Sequence, residues 1–208
     1  ADETWTVEVT LTGDVTVPQG VTLTIEPGTT VYGETSTQGM LVIRRNSKIM
    51  AEGTKDDPIL LTSAKDPGSR GAQDWGGLVI NGLAPINHAD KADGSAPGEA
   101  ETGRYGGTIA EDNSGVLKDA VVEFAGYKFD AVNELNGIAF QGVGTGTTVE
   151  YVQTHMTSDD GIEFYGGTVN AKHLVVTGAD DDSIDWMGGW NGKVQFAIIE
   201  QKEESGPE

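Results

Sequence analysis

Cysteine is absent from the 208 residues. Its absence excludes disulfides, thiolate metal sites and, on the chain as given, a lipid-anchored N-terminal Cys. Basic residues are scarce: 13 Lys and Arg stand against 33 Asp and Glu, a formal charge of −20. Nucleic acid and anionic membrane surfaces are therefore poor partners, and cations are better ones. No apolar run approaches the ~18 residues of a membrane span. Aromatics make up 7% of the chain, lean but sufficient for a thin core. Glycine is plentiful, with 30 residues. It has no collagen period and sits where a chain must turn, as in Gly76-Gly77, Gly106-Gly107, Gly142, Gly144 and Gly146.

What the sequence does contain is a repeat. Asn136-Gly137-Ile138-Ala139-Phe140, Asp159-Asp160-Gly161-Ile162-Glu163-Phe164 and Asp181-Asp182-Ser183-Ile184-Asp185-Trp186 set their isoleucines 24 and 22 residues apart. Spacings of that size mark a solenoid, propeller or array. The stretches 148–153, 171–176 and 194–199 hold equivalent places as short strands between Gly and Asp turns, and no helix fits between them. Without a helix there is no βαβ crossover, so equivalent strands lie parallel only if the chain coils about an axis. The expected fold is all-β, a right-handed parallel β-helix of about 22 residues per coil, each coil ~4.8 Å above the last. Ile138, Ile162 and Ile184 would then form one interior column, and Phe140, Phe164 and Trp186 another.

The rest of the chain fits one elongated domain over 1–208. Alternation through Trp5, Val7, Val9, Leu11, Val15, Val17, Val21, Leu23 and Ile25 reads as strands, broken at Pro18-Gln19-Gly20 and Pro27-Gly28. Residues 64–74 form a loop. Residues 87–114 form a longer one that lacks hydrophobic period and is expected to project from the stack. Residues 202–208 read as a polar tail. A start at Ala1 rather than Met is what a mature exported chain shows, so the expected location is secreted, extracellular or at the surface of a bacterial cell.

Four stretches carry a family likeness: Val21-Thr22-Leu23-Thr24-Ile25-Glu26-Pro27-Gly28-Thr29, Ile49-Met50-Ala51-Glu52-Gly53-Thr54, Pro58-Ile59-Leu60-Leu61-Thr62-Ser63 and Trp75-Gly76-Gly77-Leu78-Val79-Ile80. With Glu123-Phe124-Ala125-Gly126 and Ser158-Asp159-Asp160-Gly161, they resemble secreted bacterial right-handed β-helix proteins of the pectin-lyase-like superfamily, in its branch of large surface proteins. The likeness covers nearly the whole chain. It implies the fold, whereas the superfamily includes lyases, hydrolases, adhesins and structural proteins.

The sharpest chemical feature is an acidic ladder. In a 22-residue register Asp159 stacks near Asp181, Asp160 near Asp182 and Glu163 near Asp185, with Asp180 at the edge. Like charges ~5 Å apart cost a few kcal/mol at an effective dielectric near 20, so a proton or a cation must sit among them. Calcium suits such hard oxygen ligands, and these seven residues are its candidate ligands. The competing reading makes Asp-Asp-Gly and Asp-Asp-Ser simple turn formers.

Paired aspartates also superficially resemble the polygalacturonase family. Its companions Asn-Thr-Asp, Gly-His-Gly and Arg-Ile-Lys are missing, however, and Lys172 and Lys193 are spaced as solvated strand positions, so the reading leans away from an enzyme. His88, His155 and His173 are scattered. Trp190, after Gly188-Gly189, is the candidate exposed platform for a sugar ring, and Trp186 is assigned to the interior. The function expected first is a calcium-stabilised structural protein that polymerises head to tail through its open ends. The alternative is a β-helix that binds or cleaves polysaccharide.

Overall fold

A computed structural model describes residues 1–130 and 133–202, so residues 203–208 of the polar tail lie outside the described residues. The first coils hold β1 (Glu3–Trp5), β2 (Glu8–Leu11), β3 (Asp14–Val17), β4 (Thr22–Ile25), β5 (Thr30–Gly33) and β6 (Met40–Ile43). A third coil holds β7 (Lys48–Glu52), β8 (Ile59–Ser63) and β9 (Gly77–Asn81). An insertion with β10 (Ala96–Pro97), a 3-10 turn at Glu99–Glu101 and β11 (Arg104–Tyr105) leads to β12 (Gly115–Glu123). The antiparallel pair β13 (Tyr127–Asp130) and β14 (Asn133–Leu135) comes next. The coil then continues through β15 (Ile138–Gln141), β16 (Thr148–His155), β17 (Ile162–Tyr165), β18 (Asn170–Thr177), β19 (Ile184–Met187) and β20 (Lys193–Glu200).

Parallel pairing stacks β1, β4, β7, β12, β16, β18 and β20 into one face, and β3, β6, β9, β15, β17 and β19 into a second. The strands β2, β5 and β8 lead into the far half of β12. The molecule is a right-handed parallel β-helix, seven levels deep on the first face and six on the second. Its register is the one the repeat implied. Ile138 pairs with Ile162 and Ile162 with Ile184, while Phe140 pairs with Phe164 and Phe164 with Trp186. Leu41, Leu78, Ile43 and Ile80 extend the same two columns downward and are fully buried. No coil buries its own interior side chains alone, so stability is shared between neighbours.

From β12 onward one residue per coil bends the strand by adopting the left-handed region: Asp119 (φ 47), Tyr151 (φ 55), His173 (φ 55) and Phe196 (φ 64). That conformation costs a residue with a Cβ about 1–2 kcal/mol. Stacking offsets part of this cost: the Tyr151 and His173 rings lie 4.4 Å apart and the His173 and Phe196 rings 5.0 Å apart. Where the backbone itself is crowded, glycine is required. At Gly115 (φ +114) a Cβ would stand 1.9 Å from the Ile49 carbonyl oxygen.

Three expectations need correction. Residues 87–114 do not stand clear of the stack; they lie along the outside of the second face. The Gly106 amide donates to the Gly82 carbonyl at 2.9 Å, Ile109 donates to Leu83 at 2.9 Å, and Arg45 pairs with Asp93 at 3.2 Å. That face carries Met40, Val42, Val79 and Ala139, an apolar strip that the insertion covers with Tyr105. Trp186 is not interior: it is 62% exposed, on β19, the last strand of its sheet among the described residues. Trp190 is not an exposed platform. Its ring stacks on Phe164 at 4.5 Å, and its indole N–H donates to the Val169 carbonyl at 3.2 Å.

Candidate functional site

The turns before β17 and β19 bring the aspartates together. A positive φ of 56° at Asp159 tightens the first turn, and the Asp181 amide donates to the Asp159 carbonyl at 3.1 Å. Below them Asn136, one coil earlier, accepts from the Asp160 amide at 3.2 Å through its side chain. Asp160 in turn accepts from the Asp182 amide at 3.0 Å. Glu163 leaves β17 on its outer side and pairs in register with Asp185 of β19.

The result is two carboxylate triads, Asp159 with Asp160 and Asp181, and Asp160 with Glu163 and Asp185, each with ligand oxygens within 4.8 Å of one another. Asp160 belongs to both. Five of the seven ladder residues therefore converge. The other two do not: Asp180 is held by an ion pair with Lys202, and Asp182 is exposed. The three histidines also lie elsewhere. His88 shares a 2.6 Å hydrogen bond with the Tyr105 hydroxyl, His155 one of 2.7 Å with Thr177, and His173 sits in the ring stack described above.

Several residues of the site came from outside the acidic motif. The Asn136 amide donates to Glu163 Oε2 at 2.7 Å and to the Tyr165 hydroxyl at 3.1 Å, and that hydroxyl donates to Glu99 Oε2 at 2.8 Å. Lys128 bridges Glu134 at 2.8 Å and Asp159 at 3.8 Å. Asn136 could have been found, because it opens the first copy of the repeat where the later copies have aspartate. Glu99, Lys128 and Glu134 lie on insertions that carry no period, so no sequence signal placed them.

Burial dominates the electrostatics. It pushes Asp159 up to about 8, helped by a hydrogen bond to the Glu134 carboxyl and by the charge of Asp160, with Lys128 opposing. Burial and the charge of Asp185 raise Asp160 to about 7, against a hydrogen bond from the Asp182 amide. Glu163 rises to about 9 through burial and the charges of Asp160 and Glu99, although hydrogen bonds with Tyr165 and Asn136 pull it down. Burial likewise raises Glu99 and holds the Tyr165 phenol well above its ordinary range. These carboxyls are costly to ionise together unless a cation joins them.

The donor set consists only of oxygens, which selects a hard cation over a soft one. In the same turn the Thr157 and Ser158 hydroxyl oxygens are buried without a hydrogen-bond partner. The five carboxylates of the two triads carry ten oxygens, a hard donor set of the kind calcium takes.

Away from the ladder, a groove of about 700 Å³ runs between the 37–40 and 97–104 segments, with Asp14, Glu101, Arg104 and Phe129 on its walls. The family model for a pectate-lyase like beta helix domain matches residues 3–208. Among curated proteins and among solved structures, nothing matches this chain.

Proposed function

The chain belongs to the pectate-lyase-like β-helix domain family, and from that premise we propose that it is a structural module of an exported, cell-surface protein, stabilised by calcium. The observation that carries this reading is the pair of carboxylate triads that share Asp160. Glu163, Asp159 and Asp160 are buried acids, and a divalent ion among them removes the repulsion that otherwise keeps them protonated. The cation would tie one coil to the next at the turns before β17 and β19, where the solenoid has no disulfide to hold it.

The test is a calcium titration followed by melting. One bound ion at 100 times its dissociation constant adds ~2.7 kcal/mol. Asp160→Asn should abolish most of that gain, whereas Asp182→Asn, outside both triads, should leave it intact. A melting temperature indifferent to calcium would sink the metal reading.

A second reading, polysaccharide binding, has its own support in the groove. Phe129 is 47% exposed beside Arg104 and Glu101, a ring next to charged groups suited to sugar hydroxyls. Retention on immobilised polysaccharide, lost in Phe129→Ala, would favour it over the structural reading.

A further inference from the structure

Tyr165 has one hydroxyl hydrogen and two carboxyls within reach of it. Its ring stands on the outer side of β17, two residues beyond Glu163, where it is buried with the Tyr105 ring edge-on at 6.2 Å. The ring is therefore held in place. Its hydroxyl donates to Glu99 Oε2 at 2.8 Å and also hydrogen-bonds the Glu163 carboxyl. The Asn136 amide donates to that hydroxyl at 3.1 Å and to Glu163 Oε2 at 2.7 Å, so the phenol oxygen is already an acceptor. A phenol has a single hydrogen to give, and it cannot serve both carboxylates at once. The two competitors sit on different elements: Glu163 belongs to the acidic triad on the coil, and Glu99 to the insertion.

Glu99 opens a turn that needs holding. Ala100 (φ 46) and Glu101 (φ 58) follow it in the left-handed region, a conformation that two successive residues with a Cβ keep only where their surroundings enforce it. Within the turn the Gly98 amide donates to the Gly103 carbonyl at 2.6 Å, and the Thr102 amide donates to the Glu99 carbonyl at 2.9 Å. The bond from Tyr165 ties the Glu99 side chain to the coil. Pro97, Gly98, Ala100 and Glu101 form one wall of the groove of about 700 Å³. How firmly Glu99 is tied thus decides how firmly that wall stands.

We propose that the Tyr165 hydroxyl is a switch between Glu163 and Glu99, and that a cation on Glu163 sets it toward Glu99 and so firms the groove wall. The proposal rests on the calcium reading above for its trigger alone. A cation that takes the Glu163 oxygens withdraws that carboxyl as an acceptor, and the phenol hydrogen goes to Glu99. Donation from Asn136 into the phenol oxygen polarises the O–H and strengthens the bond to Glu99. With no cation present Glu163 competes for the hydrogen, and the turn is tied for only part of the time. The coupling is reciprocal, so a ligand that needs the firm wall tightens cation binding in turn.

The test reads amide exchange at Gly98 and Thr102 by NMR in the full chain, in EDTA and in calcium, with calcium binding followed by calorimetry. In the wild-type chain saturating calcium should slow both amides at least about tenfold, because the local opening that exposes them is suppressed. Tyr165→Phe keeps the ring and loses the hydroxyl, so at its own saturating calcium the two amides should stay at their EDTA rates. Glu163→Ala removes the competitor without any metal, and in EDTA it should slow the same amides as calcium does. Adding Tyr165→Phe to that variant should cancel the slowing. Should Tyr165→Phe fail to fold, Glu99→Ala takes its place, and calcium should leave its amides unslowed as well. Equal slowing by calcium in wild type and Tyr165→Phe overturns the proposal, as does calcium binding that leaves Gly98 and Thr102 unchanged. If calcium does not bind, the metal reading falls and the Glu163→Ala pair decides the switch by itself: slowing that depends on Tyr165 upholds it, and unchanged exchange overturns it.

Discussion

Phe164→Ala tests the register directly. Phe164 is fully buried, with the Phe140 ring 5.3 Å below it and the Trp190 ring 4.5 Å above it, both nearly parallel to its own. Truncating a buried Phe costs about 3–5 kcal/mol through lost transfer energy and the cavity left behind. Each stacked ring pair is worth about 0.5–1.5 kcal/mol, part of which is already counted in that range. The expected loss is about 4 kcal/mol. Urea unfolding followed by tryptophan fluorescence reads it as a lower midpoint with little change in slope. Trp190 reports the lost stack locally, and hydrogen exchange should speed up first in β17, β19 and the turn between Met187 and Lys193, because coils depend on their neighbours. Phe164→Leu, which keeps most of the volume, should cost less than about 1.5 kcal/mol. A loss under about 1 kcal/mol for the alanine variant would mean that residues 24 and 22 apart are not stacked in the interior, and the columns would have to be redrawn.

Other perturbations probe the ladder and the backbone. Burial keeps Asp159, Asp160 and Glu163 protonated up to about 8, 7 and 9, against ordinary values of 3.8 and 4.5. The folded chain therefore binds more protons than the unfolded one across that window, and in chelator the melting temperature should fall as pH rises from about 5 to about 9. Saturating calcium should flatten the profile; a metal-free profile that rises with pH refutes the burial argument. Asp160→Asn, measured in EDTA at pH 8 by thermal melting, should stabilise the protein slightly, because a carboxyl facing Asp185 and Asp181 is replaced by a neutral amide. Gly115→Ala should lower stability by more than about 2 kcal/mol in the same assay, since the new methyl meets the Ile49 carbonyl in a backbone region hostile to side chains.

The interior columns were legible in the sequence because a solenoid turns sequence period into spatial register with almost no other information. Ile138, Ile162 and Ile184 recur at the period of one coil, and stacking follows. The convergence of Asp159, Asp160, Glu163, Asp181 and Asp185 follows from the same arithmetic. Glu99, Lys128 and Glu134 were not legible. They ride on the 3-10 turn and the β13–β14 pair, insertions whose placement is decided by the apolar strip of Met40, Val42 and Val79 that they cover rather than by any repeat. Tyr165 was not legible as part of the site either. Its role as the link between Asn136 and Glu99 depends on a residue 66 positions away.

The two tryptophans show where register stops implying burial. Alternation correctly sets Trp186 on the inward column of Phe140 and Phe164, yet a column position is interior only if another coil lies on top. At the last described level no strand lies over it, and Trp186 is exposed. The chain partly compensates by folding Trp190 back over Phe164, so the residue assigned to a surface platform closes the core and the one assigned to the core is left outside. A ring stacked over Phe164 covers that side chain without pairing the backbone edge of β19. The exposed Trp186 thus follows from its place at the last described level of the second face, where burial needs a neighbour that register alone does not supply.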